Sequence, residues 1–214
     1  MSMRFFLASI RMRVGNSPIT INTLEFFHGV TLSRKIRMRR NILLCNTRQE
    51  MKKGVLTFFC GKMGAGKTTK SLEVSQERNA VLLSEDEWLA SVYPDSIKTL
   101  EDYVKYAGRL KPQMKKLAQS ILSSGTNVVM DFPANTTLQR KWLRSVFSEI
   151  QAPHELIYID QPNDICLEQI AKRRAEQPQR AATDTEEMFE QVTKYFVAPT
   201  PDEGFNITVI SENG

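Results

Sequence analysis

From residue 54 onward, short apolar runs alternate with longer segments of helical spacing. The first run, Val55-Leu56-Thr57-Phe58-Phe59-Cys60, is rich in β-branched and aromatic residues and predicts a strand over 55–60. Further strands are predicted at Ala80–Ser84, Asn127–Asp131, Glu155–Asp160 and Phe205–Ile210, with Gly125 stopping a helix just before the third of these. Thr99 and Asp102 make a weak capping box, after which Leu100, Tyr103, Val104, Ala107 and Leu110 keep helical spacing. Pro112 is expected to break this stretch and open a second helix, which carries Met114, Leu117, Ala118, Ile121 and Leu122 toward the core. Strands alternating with helices predict βαβ units, and hence an α/β fold with a five-stranded, mainly parallel sheet and helices on both faces. Residues 1–50 show no clear period of either kind.

The junction after the first strand carries a motif. Gly61-Lys62-Met63-Gly64-Ala65-Gly66-Lys67-Thr68 fits G-x-x-x-x-G-K-[ST], the phosphate-binding loop of P-loop NTPases, and a helix-compatible segment from Thr69 to Asn79 follows it. A strand–loop–helix context is what that motif requires. Gly61, Gly64 and Gly66 let main-chain N–H groups approach an anion without Cβ clashes, and the following helix adds its N-terminal N–H groups. Lys67 is expected to reach the β- and γ-phosphates of ATP, Thr68 to ligate Mg²⁺, and Thr69 to complete the nucleotide-binding segment.

Charge changes the picture less than the total suggests. The net charge is +5, but residues 1–53 hold 11 Lys and Arg against Glu25 and Glu50. The remaining residues hold 18 Lys and Arg against 22 Asp and Glu. The basic character therefore belongs to a leader, and the mildly acidic body argues against a surface that tracks nucleic acid. Three readings of residues 1–50 stand: an Arg-rich transit peptide, a nucleic-acid-binding arm, or a disordered or non-native extension. Met51-Lys52-Lys53-Gly54 reads as a chain start, which favours the third and sets residues 51–214 as the domain. Cys45, Cys60 and Cys166 lack metal or disulfide spacing, and no run of 18 apolar residues exists. A cytoplasmic setting is expected, without membrane attachment.

In open sheets of this kind, ligands bind beyond the carboxyl ends of the strands. Three acids fall there: Asp86, Asp131 and Asp160. Asp86, in Ser84-Glu85-Asp86-Glu87-Trp88, is expected to lie beside the P-loop as the base that accepts a hydroxyl proton, with Glu85 and Glu87 as solvated neighbours. Asp131 reads as a magnesium-holding acid or a contact to a substrate hydroxyl, and Asp160 as a turn or helix-start residue. Lys172-Arg173-Arg174 closes a helix opened near Pro162, and Gln177-Pro178-Gln179-Arg180 then breaks the pattern. These residues suit a small lid whose arginines clamp phosphate oxygens, or a cationic helix end.

Several longer stretches carry a resemblance. They are Gly61 to Thr68, Ser84-Glu85-Asp86-Glu87-Trp88-Leu89, Tyr103-Val104-Lys105-Tyr106-Ala107-Gly108-Arg109-Leu110, Asp131-Phe132-Pro133-Ala134-Asn135-Thr136 and Pro199-Thr200-Pro201-Asp202-Glu203-Gly204-Phe205-Asn206. Through them, residues 54–210 are similar to the AAA_33-type family of predicted P-loop kinases. That group resembles the chloramphenicol phosphotransferase, zeta-toxin and polynucleotide-kinase branch. The resemblance implies Asp86 as the base, Arg109 as an arginine facing substrate or phosphate, and Arg173 and Arg174 in the lid.

The expected function is transfer of the ATP γ-phosphate to a hydroxyl of a small-molecule acceptor. A polynucleotide 5′-hydroxyl kinase and a nucleotide-dependent switch or ATPase are the alternatives. No Asn-Lys-x-Asp guanine motif is present, no Asp-x-x-Gly follows Val128-Val129-Met130, and protein-kinase signatures are absent.

Overall fold

The computed structural model describes residues 9–14, 17–22, 52–181 and 183–211. The chain divides into two units, Met1–Cys45 and Asn46–Gly214. In the first, β1 (Ser9–Val14) and β2 (Ser17–Asn22) pair antiparallel, with Ile10 opposite Ile21 and Met12 opposite Ile19. This corrects the reading of the leader as aperiodic. Ile10, Met12, Val14, Ile19 and Ile21 do recur at every second position, and Gly15-Asn16 between them is a hairpin dipeptide. The runs are six residues each and sit in a basic context, so the alternation is easily overlooked.

The second unit is built on β3 (Leu56–Cys60), β4 (Val81–Ser84), β5 (Val128–Asp131), β6 (His154–Ile159) and β7 (Ile207–Ile210). They form one sheet in the order β4-β5-β3-β6-β7, and every pairing is parallel. Because β3 is central, all five of its residues are buried, as a strand covered on both faces requires. Six helices connect the strands: α1 (Lys67–Glu77), α2 (Glu85–Val92), α3 (Leu100–Ser123), α4 (Thr137–Ser148), α5 (Asn163–Glu176) and α6 (Glu186–Thr193). Leu56, Phe58 and Cys60 pack on one side with Leu89 of α2, Leu110 and Met114 of α3, and Leu143 and Val146 of α4. Phe59, Val129 and Ile157 face the other side, against Val74 of α1, Ile170 of α5 and Phe189 of α6.

β5 pairs with both β3 and β4 and stands between them, so the strand leading to Asp86 is one removed from the P-loop strand. Chain order alone does not give spatial order when crossovers intervene. One expectation is corrected: Pro112 does not break the helix, and α3 runs unbroken through it for 24 residues. An internal proline costs a helix about 3 kcal/mol. Here the residue four positions earlier is Gly108, where even an added Cβ would meet nothing. The apolar stripe Ala107, Leu110, Met114, Ala118 and Leu122 stays in register across the proline and offsets that cost by burial.

The C-terminal segment is fastened by a buried cation. Arg140 of α4 is fully buried, and its guanidinium donates twice to the Glu203 carboxylate at 2.7 Å. It also donates to the carbonyls of Ala134 at 2.9 Å and Val197 at 2.8 Å. Arg144 donates to the Glu203 carbonyl and lies 4.1 Å from the Phe205 ring centroid. Glu203→Ala is expected to strand the Arg140 charge in the core and lower stability by about 3 to 5 kcal/mol, measured by urea unfolding. Arg140 holds the Glu203 carboxyl below its usual pKa. The stabilisation is therefore complete above the ordinary carboxylate range and is lost as pH falls through the depressed value. The urea midpoint of the native protein should drop with pH there, and that of Glu203→Ala should drop less.

Candidate nucleotide site

The loop after β3 is pressed from behind. A Cβ on Gly61 would come within 2.8 Å of the Ile159 carbonyl oxygen. One on Gly64, which has φ of 77°, would meet the Cys166 carbonyl oxygen at 2.3 Å. Gly66 caps α1 in the left-handed region, and no side chain caps that helix or places an acid in its first turn. Its first N–H groups thus remain free of side-chain acceptors, which suits a bound anion. Ala65 is buried, Met63 packs against the cluster of β6 and α5, and Thr68 and Thr69 are exposed on the first turn of α1.

The two lysines of the loop do different things. Lys62 reaches outward, donating to Asn163 Oδ1 at 2.7 Å and to the Gln161 carbonyl at 3.3 Å. Lys67 folds over the loop and donates to the carbonyls of Gly61 and Lys62, both at 2.7 Å. Burial lowers the Lys67 pKa to about 8, and the Asp131 carboxylate opposes that shift. Asn135, from the loop after β5, accepts the Gly61 N–H on its Oδ1 at 3.1 Å.

Four of the expected residues converge. Asp131 ends β5, opposite Ser84 of β4 in the ladder. Burial raises the Asp131 pKa; the nearby Thr68 hydroxyl and the Lys67 charge pull it down, and the charges of Asp86 and Glu87 push it further up. Lys67, Thr68, Asp131 and Asp86 therefore share one edge of the sheet. Asp86 is exposed in the first turn of α2, whose N-cap is Ser84. Asp160 is exposed and accepts the Tyr158 hydroxyl at 2.8 Å.

Glu85 departs from expectation. It is 1 % exposed, not solvated, and the Tyr103 hydroxyl of α3 donates to its Oε2. Burial raises its pKa. The first turn of α2 points Glu85 inward and Asp86 outward, a distinction that three consecutive acids do not disclose in sequence.

The arginines divide as well. Arg109 lies on the exposed face of α3 with its guanidinium 5.5 Å from the Tyr106 ring centroid, and no hydrogen bond among the described residues ties it to the P-loop. Arg173 grips Asp184 with bonds of 2.6 and 2.8 Å, and Arg180 joins at 3.2 Å. The Arg173 charge also lowers the Lys67 pKa. Arg174 is exposed and its charge acts on Glu187. Sequence reasoning missed Asp184, which is 1 % exposed and has no motif around it, and Asn135, which lay in a quoted stretch without a role.

The family description "AAA domain" matches residues 56–199. The chain belongs to the AAA_33 family. No curated protein matches this AAA_33 chain in sequence. Among solved structures it is similar to a candidate kinase of Chloroflexus aurantiacus, at 21% identity and TM-score 0.59, covering 75% of this chain and 86% of that one. It is also similar to the APS kinase of Mycobacterium tuberculosis, solved with AMPPNP and APS, at 15% identity and TM-score 0.53, covering 76% and 90%. A third is Kti12 of Chaetomium thermophilum, solved with ADP-AlF3, at 16% identity and TM-score 0.54, covering 74% and 89%. At such identities the likeness establishes the fold, an α/β P-loop sheet. Among the described residues, no helix is long and apolar enough to cross a membrane.

Asp184→Ala should release Arg173 and Arg180, both partly exposed, and cost about 1 to 2 kcal/mol, read as a lower urea midpoint. Asp184→Glu should recover less than half of the loss, because the added methylene disturbs the paired geometry.

Proposed function

We propose that the chain is an ATP-dependent, cytoplasmic kinase that moves the γ-phosphate to a hydroxyl of a small-molecule acceptor. The observation that carries this reading is the placement of Lys67 and Thr68 just past β3, Asp131 at the end of β5 and Asp86 just past β4, at the carboxyl ends of three adjoining strands. A loop with free N–H groups and a lysine accounts for nucleotide binding. A carboxylate exposed beyond it accounts for an acceptor.

The donor set fits Mg²⁺. The Thr68 hydroxyl opens α1 after β3 and the Asp131 carboxylate ends the adjoining β5, and magnesium takes one or two protein oxygens and fills its remaining positions with water and phosphate oxygens. When bound, the ion neutralises charge on the β- and γ-phosphates. The chain's own residues do the rest. The free main-chain N–H groups of the loop and of the first turn of α1, together with the Lys67 ammonium, orient the triphosphate. The acceptor oxygen forms its bond to the γ-phosphorus as the bond to the β-γ bridging oxygen breaks. Asp86 takes the proton that the acceptor hydroxyl gives up. On lid closure Arg173 pairs with phosphate oxygens in place of part of its hold on Asp184. The free, buried thiols of Cys60 and Cys166 suit a reducing compartment.

Lys67→Ala should weaken ATP binding and turnover together, seen by calorimetric titration beside a turnover assay. Asp86→Asn should bind ATP as the native protein does, yet lose transfer by roughly 10²-fold or more. Undiminished transfer in Asp86→Asn removes that residue from the reaction. Failure of the native protein to bind ATP removes the kinase reading altogether.

A further inference from the structure

We infer that Asn135 is a residue through which the site distinguishes a triphosphate from a diphosphate: its carboxamide N–H₂ donates to the terminal phosphoryl group. The inference rests on the kinase reading above, and assigns a role to a residue that reading leaves unused.

The orientation of the amide follows from its partner. The Gly61 N–H is a donor, so the side-chain atom 3.1 Å from it must be the acceptor Oδ1. Nδ2 then points away from Gly61 N with two donors, and no residue among those described accepts from it. Everything else about Asn135 is already committed. Its N–H donates to Gln139 Oε1 at 2.9 Å, and its carbonyl accepts the Val197 N–H at 2.9 Å. The preceding carbonyl, of Ala134, is held by the buried Arg140. The residue is thus rigid, and only the carboxamide donor is spare.

Its location is set by Gly61. Gly61 has Asn135 on its N–H and Lys67 on its carbonyl, so the two side chains meet at one residue of the loop. Asn135 also follows Asp131 by four residues, on the loop leaving the strand that neighbours β3. A donor held on the same residue that anchors the phosphate-binding lysine, on the loop that leaves Asp131, is placed to meet the end of a triphosphate. A diphosphate, seated deeper against α1, ends short of it.

The test compares Mg·AMPPNP and Mg·ADP binding by titration calorimetry in the native protein and two variants. Asn135→Asp keeps an acceptor for the Gly61 N–H and replaces the donor by a carboxylate oxygen. Its added charge should weaken both nucleotides, and AMPPNP roughly 10- to 100-fold more than ADP, the worth of a hydrogen bond to a charged group. Asn135→Ala frees the Gly61 N–H as well and should weaken both nucleotides, AMPPNP more. The readout in each case is the triphosphate-to-diphosphate affinity ratio, which a merely structural role would not move. Native binding of both nucleotides with an unchanged ratio in either variant that folds overturns the role of Asn135 alone. Native binding of neither overturns the kinase reading beneath it.

Discussion

A chain can hold a phosphate with its own main chain only if the loop carrying the N–H groups is both bare and braced. It must be bare because a Cβ facing the phosphate or the support behind it forces the backbone away. It must be braced because a flexible loop gives back in entropy what its hydrogen bonds gain. Gly61 and Gly64 meet the first need, set too close to the carbonyls of Ile159 and Cys166 to carry any side chain. The second is met by four attachments: β6 and α5 behind, Asn135 on the Gly61 N–H, and Lys67 across the carbonyls of Gly61 and Lys62. The central, fully buried β3 is what delivers the loop to this position.

The sheet order then decides which acids reach the phosphate. With β5 next to β3, Asp131 ends its strand beside the one that leads to Thr68, and Asp86 follows the strand one further out. The mutual repulsion of these acids and the burial of Asp131 are opposed by the Thr68 hydroxyl and the Lys67 ammonium. Such a site gains from a divalent cation, which relieves the repulsion between the carboxylates. The second layer of control is cationic. Asp184 keeps Arg173 and Arg180 together near the loop, and Arg140 locks the loop after β5 to the C-terminal segment through Glu203.

The parts legible in sequence were those with a strong local signal. The G-x-x-x-x-G-K-T segment, the apolar run of β3 and the capping box at Thr99 all rest on short-range chemistry and stand where the sequence implied. What was not legible depended on distant partners. Pro112 sits in the middle of α3 because a stripe of five buried residues on either side of it outweighs a local rule. Glu85 is buried because Tyr103, 18 residues away, offers it a hydroxyl. The place of β5 between β3 and β4 is a matter of crossovers that no window of residues contains. The alternation of β1 and β2 was present in the sequence and was masked by the charges around it.

A structure of the protein with Mg²⁺ and a non-hydrolysable ATP analogue tests the central claim most directly. The account predicts the terminal phosphorus between Lys67 and Asp86, with the ion on Thr68 and Asp131 and the base, sugar and inner phosphates leading back along α1. A nucleotide bound elsewhere, or a terminal phosphate with Asp86 turned away from it, would contradict the account.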